Sequence, residues 1–158
     1  MRSIYTLSTG AAVALTAATA KTVLCALTPA QFGLDLLGYR IAFDGVTASA
    51  VPVLVEICAS TAATNSTPGT NNTTGTVNQV AGRSITTGFT GFYASTAGNE
   101  PTVLTPIYRD TMTPNGGLIV YDYPTDRSPD IAVSAGLALR LTAPAGVNAN
   151  ATLVFARC

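Results

Sequence analysis

The sequence predicts an all-β protein, folded as a single-domain antiparallel β-sandwich that spans residues 1–158. Two observations lead to this prediction. Nine or ten short segments alternate apolar and polar residues with period two, which is the pattern of half-buried strands. Turn residues separate these segments at regular intervals, as in sandwiches and barrels. No stretch shows convincing helical periodicity, and the chain is long enough to bury a proper core.

Residues 1–20 are predicted to form N-terminal strands or an arm, with strands at 4–8 and 12–16. The segment imitates a secretory signal, because Arg2 precedes an apolar-leaning middle and a small-residue end at 18–20. Threonine, serine and glycine break that middle, however, so we expect strands. No segment approaches the roughly 20 apolar residues of a membrane span.

The clearest alternation lies in 34–60, after a strand at 21–28. Residues 37–43 and 53–58 each place apolar side chains on one side and polar or small ones on the other. Paired as a hairpin, these two strands would set Arg40 opposite Glu56. Such a cross-strand ion pair contributes at most about 1 kcal/mol, so it would fix the register more than the stability.

Residues 61–90 form a long Thr/Asn/Gly-rich excursion, with a short strand predicted at 77–80. A loop of this length is unusual in a compact domain unless it is functional or packed against something. We therefore expect a partner to order it. The segment 88–93 follows, with Phe89, Phe92 and Tyr93 between glycines, and is predicted to be a loop that re-enters the core.

The last third of the chain returns to strand patterns. The strands are predicted at 102–110, 118–123, 131–134, 137–142 and 151–157. Pro106 cannot donate a ladder hydrogen bond, so the first of these should be an edge or bulged strand. Asn115, Gly116 and Gly117 form a turn signal before the second.

The composition is poor in charge, with 10% charged residues where about 25% is usual. Eight acidic and eight basic side chains cancel, and no basic run occurs. The chain therefore lacks the electrostatic footprint of a protein that binds nucleic acid or an anionic membrane. So little charge weakly opposes contact between neighbours, and this favours a protein whose surface is largely occupied by other subunits.

Histidine is absent, which removes the commonest general base, nucleophile partner and metal ligand. No nucleotide-binding, hydrolase or zinc motif occurs. A glycosidase-type carboxylate pair remains conceivable among Asp35, Asp44, Glu56, Glu100, Asp110, Asp122, Asp126 and Asp130. Most of these are expected to be turn and cap residues. We predict no enzyme activity, no cofactor, and no catalytic, cofactor-binding or metal-binding residues.

The sequence does not favour either of two possible ligand sites. Asp122, Asp126 and Asp130 lie close together, but they lack the alternating spacing of a calcium loop and enclose Arg127. They are predicted to be polar turn residues. Lys21 would suit a Schiff base only if it were buried, and we expect it to be solvated at a strand start.

Three cysteines carry no CxxC spacing. Cys25 and Cys58 lie in strand patterns, where buried reduced thiols are expected and a disulfide is the alternative. Cys158 is predicted to be a free or inter-chain thiol. The Asn-x-Ser/Thr sequons at Asn65, Asn71, Asn72 and Asn150 are attributed to chance in a chain rich in these residues; glycan attachment is the alternative.

The closing segment LALRLTAPAGVNANATLVFAR, the segment FDGVTASAVPVLVEI and the low-charge Ala/Thr-rich composition resemble small virion proteins of tailed bacteriophages. That family comprises jelly-roll or related β-sandwich proteins that decorate or cement the capsid, frequently as trimers. The resemblance covers most of the chain and is one of style, with no diagnostic motif or site residues to carry over.

The resemblance implies a jelly-roll-like fold and a structural role on the capsid exterior, after synthesis in the host cytoplasm. The implied partners are the major capsid protein and further copies of the chain, with a trimer favoured. We expect the N-terminal strands, extended to a neighbour's sheet edge, and the 61–90 excursion to make the contacts. Deletion of 2–16 should then abolish attachment and leave the sandwich folded.

A carbohydrate- or receptor-binding β-sandwich, such as a fibre head or a lectin-like domain, is the alternative. It would require exposed aromatic side chains at Phe89, Phe92 and Tyr93, occupied sequons, or calcium held near 122–130.

Overall fold

The computed structural model describes residues 2–44, 51–61, 72–85, 87–95, 100–101, 103–114, 117–124 and 126–158. Within these ranges the chain is all-β and contains no helix. The strands are β1 (Ile4–Ser8), β2 (Val13–Leu15), β3 (Ala20–Leu27), β4 (Leu34–Phe43), β5 (Val53–Thr61), β6 (Thr73–Gly75), β7 (Val77–Ala81), β8 (Thr90–Tyr93), β9 (Thr105–Met112), β10 (Leu118–Asp122), β11 (Asp130–Ile131), β12 (Ala135–Thr142) and β13 (Val147–Arg157). They confirm the predicted fold class.

Two antiparallel sheets pack against each other as a β-sandwich. Sheet A has the order β10-β4-β13-β1-β7, with β11 also paired to β4 and β2 to β13. Sheet B has the order β6-β8-β3-β12-β5-β9. Strands from the start of the chain pair with strands from its end, as β1 and β4 do with β13 and as β3 and β5 do with β12. This is the jelly-roll-like arrangement that the sequence resemblance implied.

The core fills the space between the inner faces of the sheets. Each strand contributes every second side chain to it, as the period of the pleat requires. Tyr5, Phe89 and Phe155 form an aromatic centre, with ring centroids 5.0–6.1 Å apart. The largest fully buried side chains are Tyr5, Tyr39, Phe92, Phe155, Leu7, Leu24, Leu34, Leu36, Ile41, Ile57, Leu137 and Leu139.

The predicted hairpin of 37–43 and 53–58 is wrong, although both strands exist. β4 lies in sheet A and β5 in sheet B, so their apolar faces meet across the core and not side by side. Period-two alternation specifies which face is buried, and both arrangements satisfy it. The connecting residues 45–50 lie outside the described part. A register shift on β4 also places Leu36, and not Leu37, in the core.

The N-terminal segment forms the predicted strands and is not an arm. β1 lies inside sheet A between β13 and β7, and β2 pairs with β13. Tyr5, Leu7, Val13 and Leu15 are buried in the core. These strands are therefore occupied within their own subunit, and extension to a neighbour's sheet edge is not how the structure uses them.

The 61–90 excursion crosses from one sheet to the other along one side of the sandwich. β6 is the edge of sheet B and β7 is the edge of sheet A, and the predicted strand at 77–80 corresponds to β7. A Cβ at Gly75 or Gly91 would come within 2.7 Å of the Leu7 side chain, so these glycines make room for it. Residues 62–71 and 86 lie outside the described part.

The segment 88–93 was predicted to be a loop, but 90–93 forms strand β8 between β3 and β6. Its short length and its glycine, Gly91, hide the strand pattern in the sequence. The predicted strand with Pro106 is β9, which is an edge strand with a register shift beside that proline, as expected.

Candidate functional site

The side of the sandwich opposite to β6 and β7 is formed by β9, the edge of sheet B, and β10, the edge of sheet A. Four tyrosines meet between these two edges: Tyr39, Tyr108, Tyr121 and Tyr123. Tyr39 and Tyr121 are stacked at 5.4 Å, Tyr121 and Tyr123 are 4.8 Å apart, and Tyr108 and Tyr123 are 5.3 Å apart, between ring centroids. Four of the six tyrosines in the chain therefore gather at one opening of the fold.

Large apolar and aromatic side chains are exposed on these two edge strands, with Tyr108 and Tyr121 at the opening and Leu118 and Val120 on the outward face of sheet A. We call the set the tyrosine edge: Ile107 (41% exposed), Tyr108 (39%), Leu118 (62%), Val120 (49%) and Tyr121 (42%). Single exposed apolar side chains are normal on protein surfaces, but a contiguous group of them marks a contact site. Tyrosine suits such a site because it combines a large apolar ring with a polar hydroxyl.

The inner part of the cluster holds the exposed rings in place. Tyr39 lies opposite Tyr121 on the paired strands β4 and β10, and the Tyr123 amide donates to the Leu37 carbonyl at 2.8 Å. The Tyr39 hydroxyl donates to Asp110 at 3.4 Å. Burial, reinforced by nearby Asp110, raises the pKa of Tyr39 well above its ordinary value, and burial does the same for Tyr123. Both phenols therefore remain neutral in ordinary buffers.

Arg109 follows Tyr108 on β9, points to the opposite face of the strand, and is fixed by a buried carboxylate. Glu56, only 2% exposed, accepts from Arg109 Nε at 2.7 Å and from Arg140 Nε at 2.8 Å. The three residues form one row across β12, β5 and β9, on the face of sheet B that points away from the core. The Arg109 side chain is 63% exposed, so its charge is held at the surface.

The predicted Arg40–Glu56 pair is therefore wrong. Arg40 lies on β4 in the other sheet, opposite Thr152 and Val120, and is exposed. The partners of Glu56 come from strands that follow it by more than fifty residues.

A second row on the same face of sheet B contains the two strand cysteines. Cys25 and Cys58 lie opposite Ala138 from its two sides, and all three are fully buried with Phe92. Two strand spacings, about 9.6 Å, separate the cysteines, which is too far for a disulfide. Both are free, as predicted, and burial raises the pKa of Cys25 to about 12 and that of Cys58 to about 11.

Leu104, in the region after β8, packs against this row. Ala94 and Ser95 donate backbone hydrogen bonds to β3, and the Glu100 carboxylate accepts from the Thr22 amide at 2.9 Å. The Thr22 hydroxyl also donates to Glu100. Glu100 therefore has a structural role, because it links its segment of the chain to β3.

Asp122 ends β10, Asp126 lies in the turn that follows, and Asp130 begins β11, so two of the three predicted turn residues are in strands. Among the described side chains, the acidic and thiol group close enough to share an ion is Asp35, Asp130 and Cys158, with ligand atoms within 4.8 Å. Arg2 forms an ion pair with Asp35, and the Cys158 thiol donates to Asp130 at 3.4 Å. The group has its own compensating cation and lies at the surface.

The remaining candidates from the sequence have ordinary structural positions. Lys21 is the second residue of β3 and donates to the Ala14 carbonyl at 3.1 Å. Phe89 and Phe92 are buried and Tyr93 is partly buried, so they do not form an exposed platform. Asn150 is exposed on β13. Asn72 lies just before β6, and Asn65 and Asn71 lie outside the described part.

The sequence contains one signal that would have found the tyrosine edge. Tyr121 and Tyr123 are separated by one residue in a strand pattern, and Tyr108 lies in the strand that Pro106 marks as an edge. Aromatic residues on a predicted edge strand indicate a contact surface. The position of Tyr39 next to these tyrosines can be seen only in the folded structure.

No helix in the described ranges is long and apolar enough to cross a membrane. Comparisons with protein-family models, with curated proteins and with solved structures found no match to this chain.

Proposed function

We propose that the protein is a structural virion component that decorates and stabilises a bacteriophage capsid by binding across neighbouring capsid subunits. The observation that supports this role best is the tyrosine edge. It presents rigid aromatic and aliphatic side chains on two edge strands, in a chain whose surface carries little charge. The choice of a capsid as the binding partner comes from the sequence resemblance.

The composition of the edge fits recognition of protein. Binding energy at protein interfaces is concentrated in tyrosine, tryptophan and arginine side chains that are buried on contact. Tyr108 and Tyr121 lie together here, each packed against Tyr123, and Arg109 is held by Glu56 on the outer face of the same edge strand β9. Because these side chains are ordered before binding, little conformational entropy is lost on contact.

The proposed mechanism is linkage across a lattice. A protein that binds the assembled shell, and not the separated subunits, stabilises the shell by RT ln(1 + [L]/Kd). If one copy or one homo-oligomer touches two capsomers, the second contact benefits from high effective concentration. The partners proposed are the major capsid protein and further copies of the chain, with a trimer favoured, on the capsid exterior. No catalytic step belongs to this role.

The test is co-sedimentation of the purified protein with shells assembled from the major capsid protein of the same virus. We expect the wild type to sediment with the shells and to raise their melting temperature. The double variant Tyr108→Ala/Tyr121→Ala should lose at least tenfold in affinity, since each anchor contributes about 1 kcal/mol or more. Val80→Ala, on the far edge β7, is the matched control and should bind normally. Wild-type protein that stays in the supernatant would refute the proposal.

A carbohydrate-binding role is the second candidate, because exposed tyrosine rings also stack on sugars. The rings concerned are those of the tyrosine edge and not Phe89, Phe92 and Tyr93, which are buried or partly buried. A glycan array separates the two roles. Hits that disappear in the Tyr108→Ala/Tyr121→Ala variant would favour the sugar, and an array without hits would remove this candidate.

A further inference from the structure

We propose that two copies of this chain pair through β10, in antiparallel fashion, so that their A sheets join across a two-fold axis. The inference rests on the contact role proposed for the tyrosine edge and identifies one occupant of that edge as a second copy. Among the described residues β10 pairs with β4 on one side only, so its other side presents backbone donors and acceptors without a described strand partner.

The other three edges of the sandwich carry features that discourage strand addition. β6 has only three residues, and β9 contains Pro106 and a register shift. β7 carries Asn78 and Gln79 and also meets its neighbour through a register shift. The Gln79 side chain further engages the chain that follows β7, donating to the Ala81 carbonyl and accepting from the Ile85 amide. Short length, proline and irregular register are the usual protections of an edge.

β10 has none of these protections. Its pairing with β4 runs without a shift from Leu118 opposite Ala42 to Asp122 opposite Gly38. The strand has no proline or lysine, and its only charge is Asp122 at the end. Leu118 and Val120 are among the most exposed apolar side chains of the described residues. A regular, apolar, exposed edge is the kind at which strands add.

The single charge of β10, Asp122 at its end, favours pairing with a second copy in one particular register. A two-fold axis at Val120 sets Val120 opposite itself, Ile119 opposite Tyr121, and Leu118 opposite Asp122. The two Asp122 carboxylates then lie about 14 Å apart along the strands, four residues at 3.4 Å each. A register centred on Asp122 would place them face to face, where like charges are destabilising.

The surroundings do not oppose this contact. The outward face of β10 and β4 carries Arg40, Asp122 and Asp35, and Asp35 is paired with Arg2, so these charges compensate one another and joining two copies adds no net charge. The chain as a whole also has a formal net charge of zero, and weak charge repulsion permits association.

The test uses cysteine cross-linking of the purified full chain in a Cys158→Ser background, because Cys25 and Cys58 are buried. Opposed residues of an antiparallel pair have Cβ atoms about 4.5–5.5 Å apart, so Val120→Cys should oxidise to a covalent dimer in high yield. Leu118→Cys, on the same face of the same strand, should not, because its copy lies about 14 Å away along the strands. Equal yields from the two variants, or no dimer from Val120→Cys, would overturn the inference.

Sedimentation equilibrium at high micromolar concentration gives the second measurement. Val120→Lys places a charge at the two-fold axis and should halve the molecular mass, whether or not a trimer is also present. Val80→Lys, an equally exposed valine on edge β7, should keep the wild-type mass. Circular dichroism checks that both variants are folded. A wild type of 16.1 kDa, the mass of one chain, would overturn the inference, and a monomer that still binds shells would leave the proposed function standing.

Discussion

At the scale of single residues, the row Arg140–Glu56–Arg109 shows how a charge-poor chain places its few charges. Glu56 is almost fully buried, and a buried carboxylate without partners would be strongly destabilising. Two guanidinium groups satisfy both of its oxygens. The row also orders Arg109 on the outer face of edge strand β9, on the side opposite to Tyr108.

Replacing Arg140 should therefore cost far more stability than replacing Arg40. Arg140→Ala removes charge-assisted hydrogen bonds to a buried group, and we expect a loss of about 2 kcal/mol in the free energy of unfolding. Arg40→Ala, at an exposed position without a described ion pair, should change it by less than about 0.5 kcal/mol. Urea denaturation of both variants measures the difference. Equal losses would contradict the assigned partners of Glu56.

Sequence reasoning could not have found these partners. Arg40 and Glu56 lie on strands that are neighbours in the chain, and local pairing is the simplest assumption. Arg140 follows Glu56 by 84 positions, and nothing in its own neighbourhood identifies its partner. The buried, reduced state of Cys25 and Cys58, in contrast, agrees with the prediction, which rests on the usual burial of free cysteine in strands and not on alternation.

At the scale of elements, strand positions were predictable because alternation is a local property. β3, β4, β5, β9, β10, β12 and β13 all lie where the apolar pattern placed them. β6 and β8 were missed, since short strands containing glycine have little pattern to detect. Strand partners were not predictable, because a sandwich with long-range pairing satisfies the same alternation as a set of hairpins.

The N-terminal strands give a test at this scale. Leu7 is fully buried under Gly75 and Gly91, so Leu7→Ala should cost about 2–5 kcal/mol of unfolding free energy. Deletion of residues 2–16 removes β1 from the middle of sheet A and should prevent folding. Ser8→Ala, at an exposed position of the same strand, is the control and should be nearly neutral. A folded deletion variant with a cooperative thermal transition would contradict the role of β1 as a core strand.

At the scale of the whole molecule, the two sides of the sandwich differ in kind. On one side the consecutive strands β6 and β7 are the edges of sheet B and sheet A, and glycines pack against Leu7. On the other, β9 and β10 leave tyrosines in the gap between the sheets and apolar side chains in solvent. The chain covers one side by its own packing, and the other side is the one at which we propose the contact with a partner. The composition predicts contact with other subunits in general, and only the fold indicates which surface is available for that contact.

The pH dependence of stability tests the packing of the whole sandwich, because its buried acids come from both sheets. Burial raises the pKa of Cys25 and Cys58 from 9.0 to about 12 and about 11, and it raises those of Tyr39 and Tyr123 above 10.0. Above pH 9 the unfolded chain releases protons that the folded chain retains. The resulting stabilisation is fully present below pH 9 and is lost as pH rises toward 12.

We therefore expect the free energy of unfolding to be constant from pH 7 to 8.5 and to fall by several kcal/mol by pH 11, since each pKa unit corresponds to about 1.4 kcal/mol. Denaturation followed by tyrosine fluorescence and by far-ultraviolet circular dichroism should give coincident transitions, because both sheets share one core. Cys58→Ala lowers the stability at every pH but removes one titrating group, so its curve should fall less steeply above pH 9. If the Cys58→Ala curve were as steep as that of the wild type, the Cys58 thiol would be accessible to water. This result would contradict its buried position on sheet B.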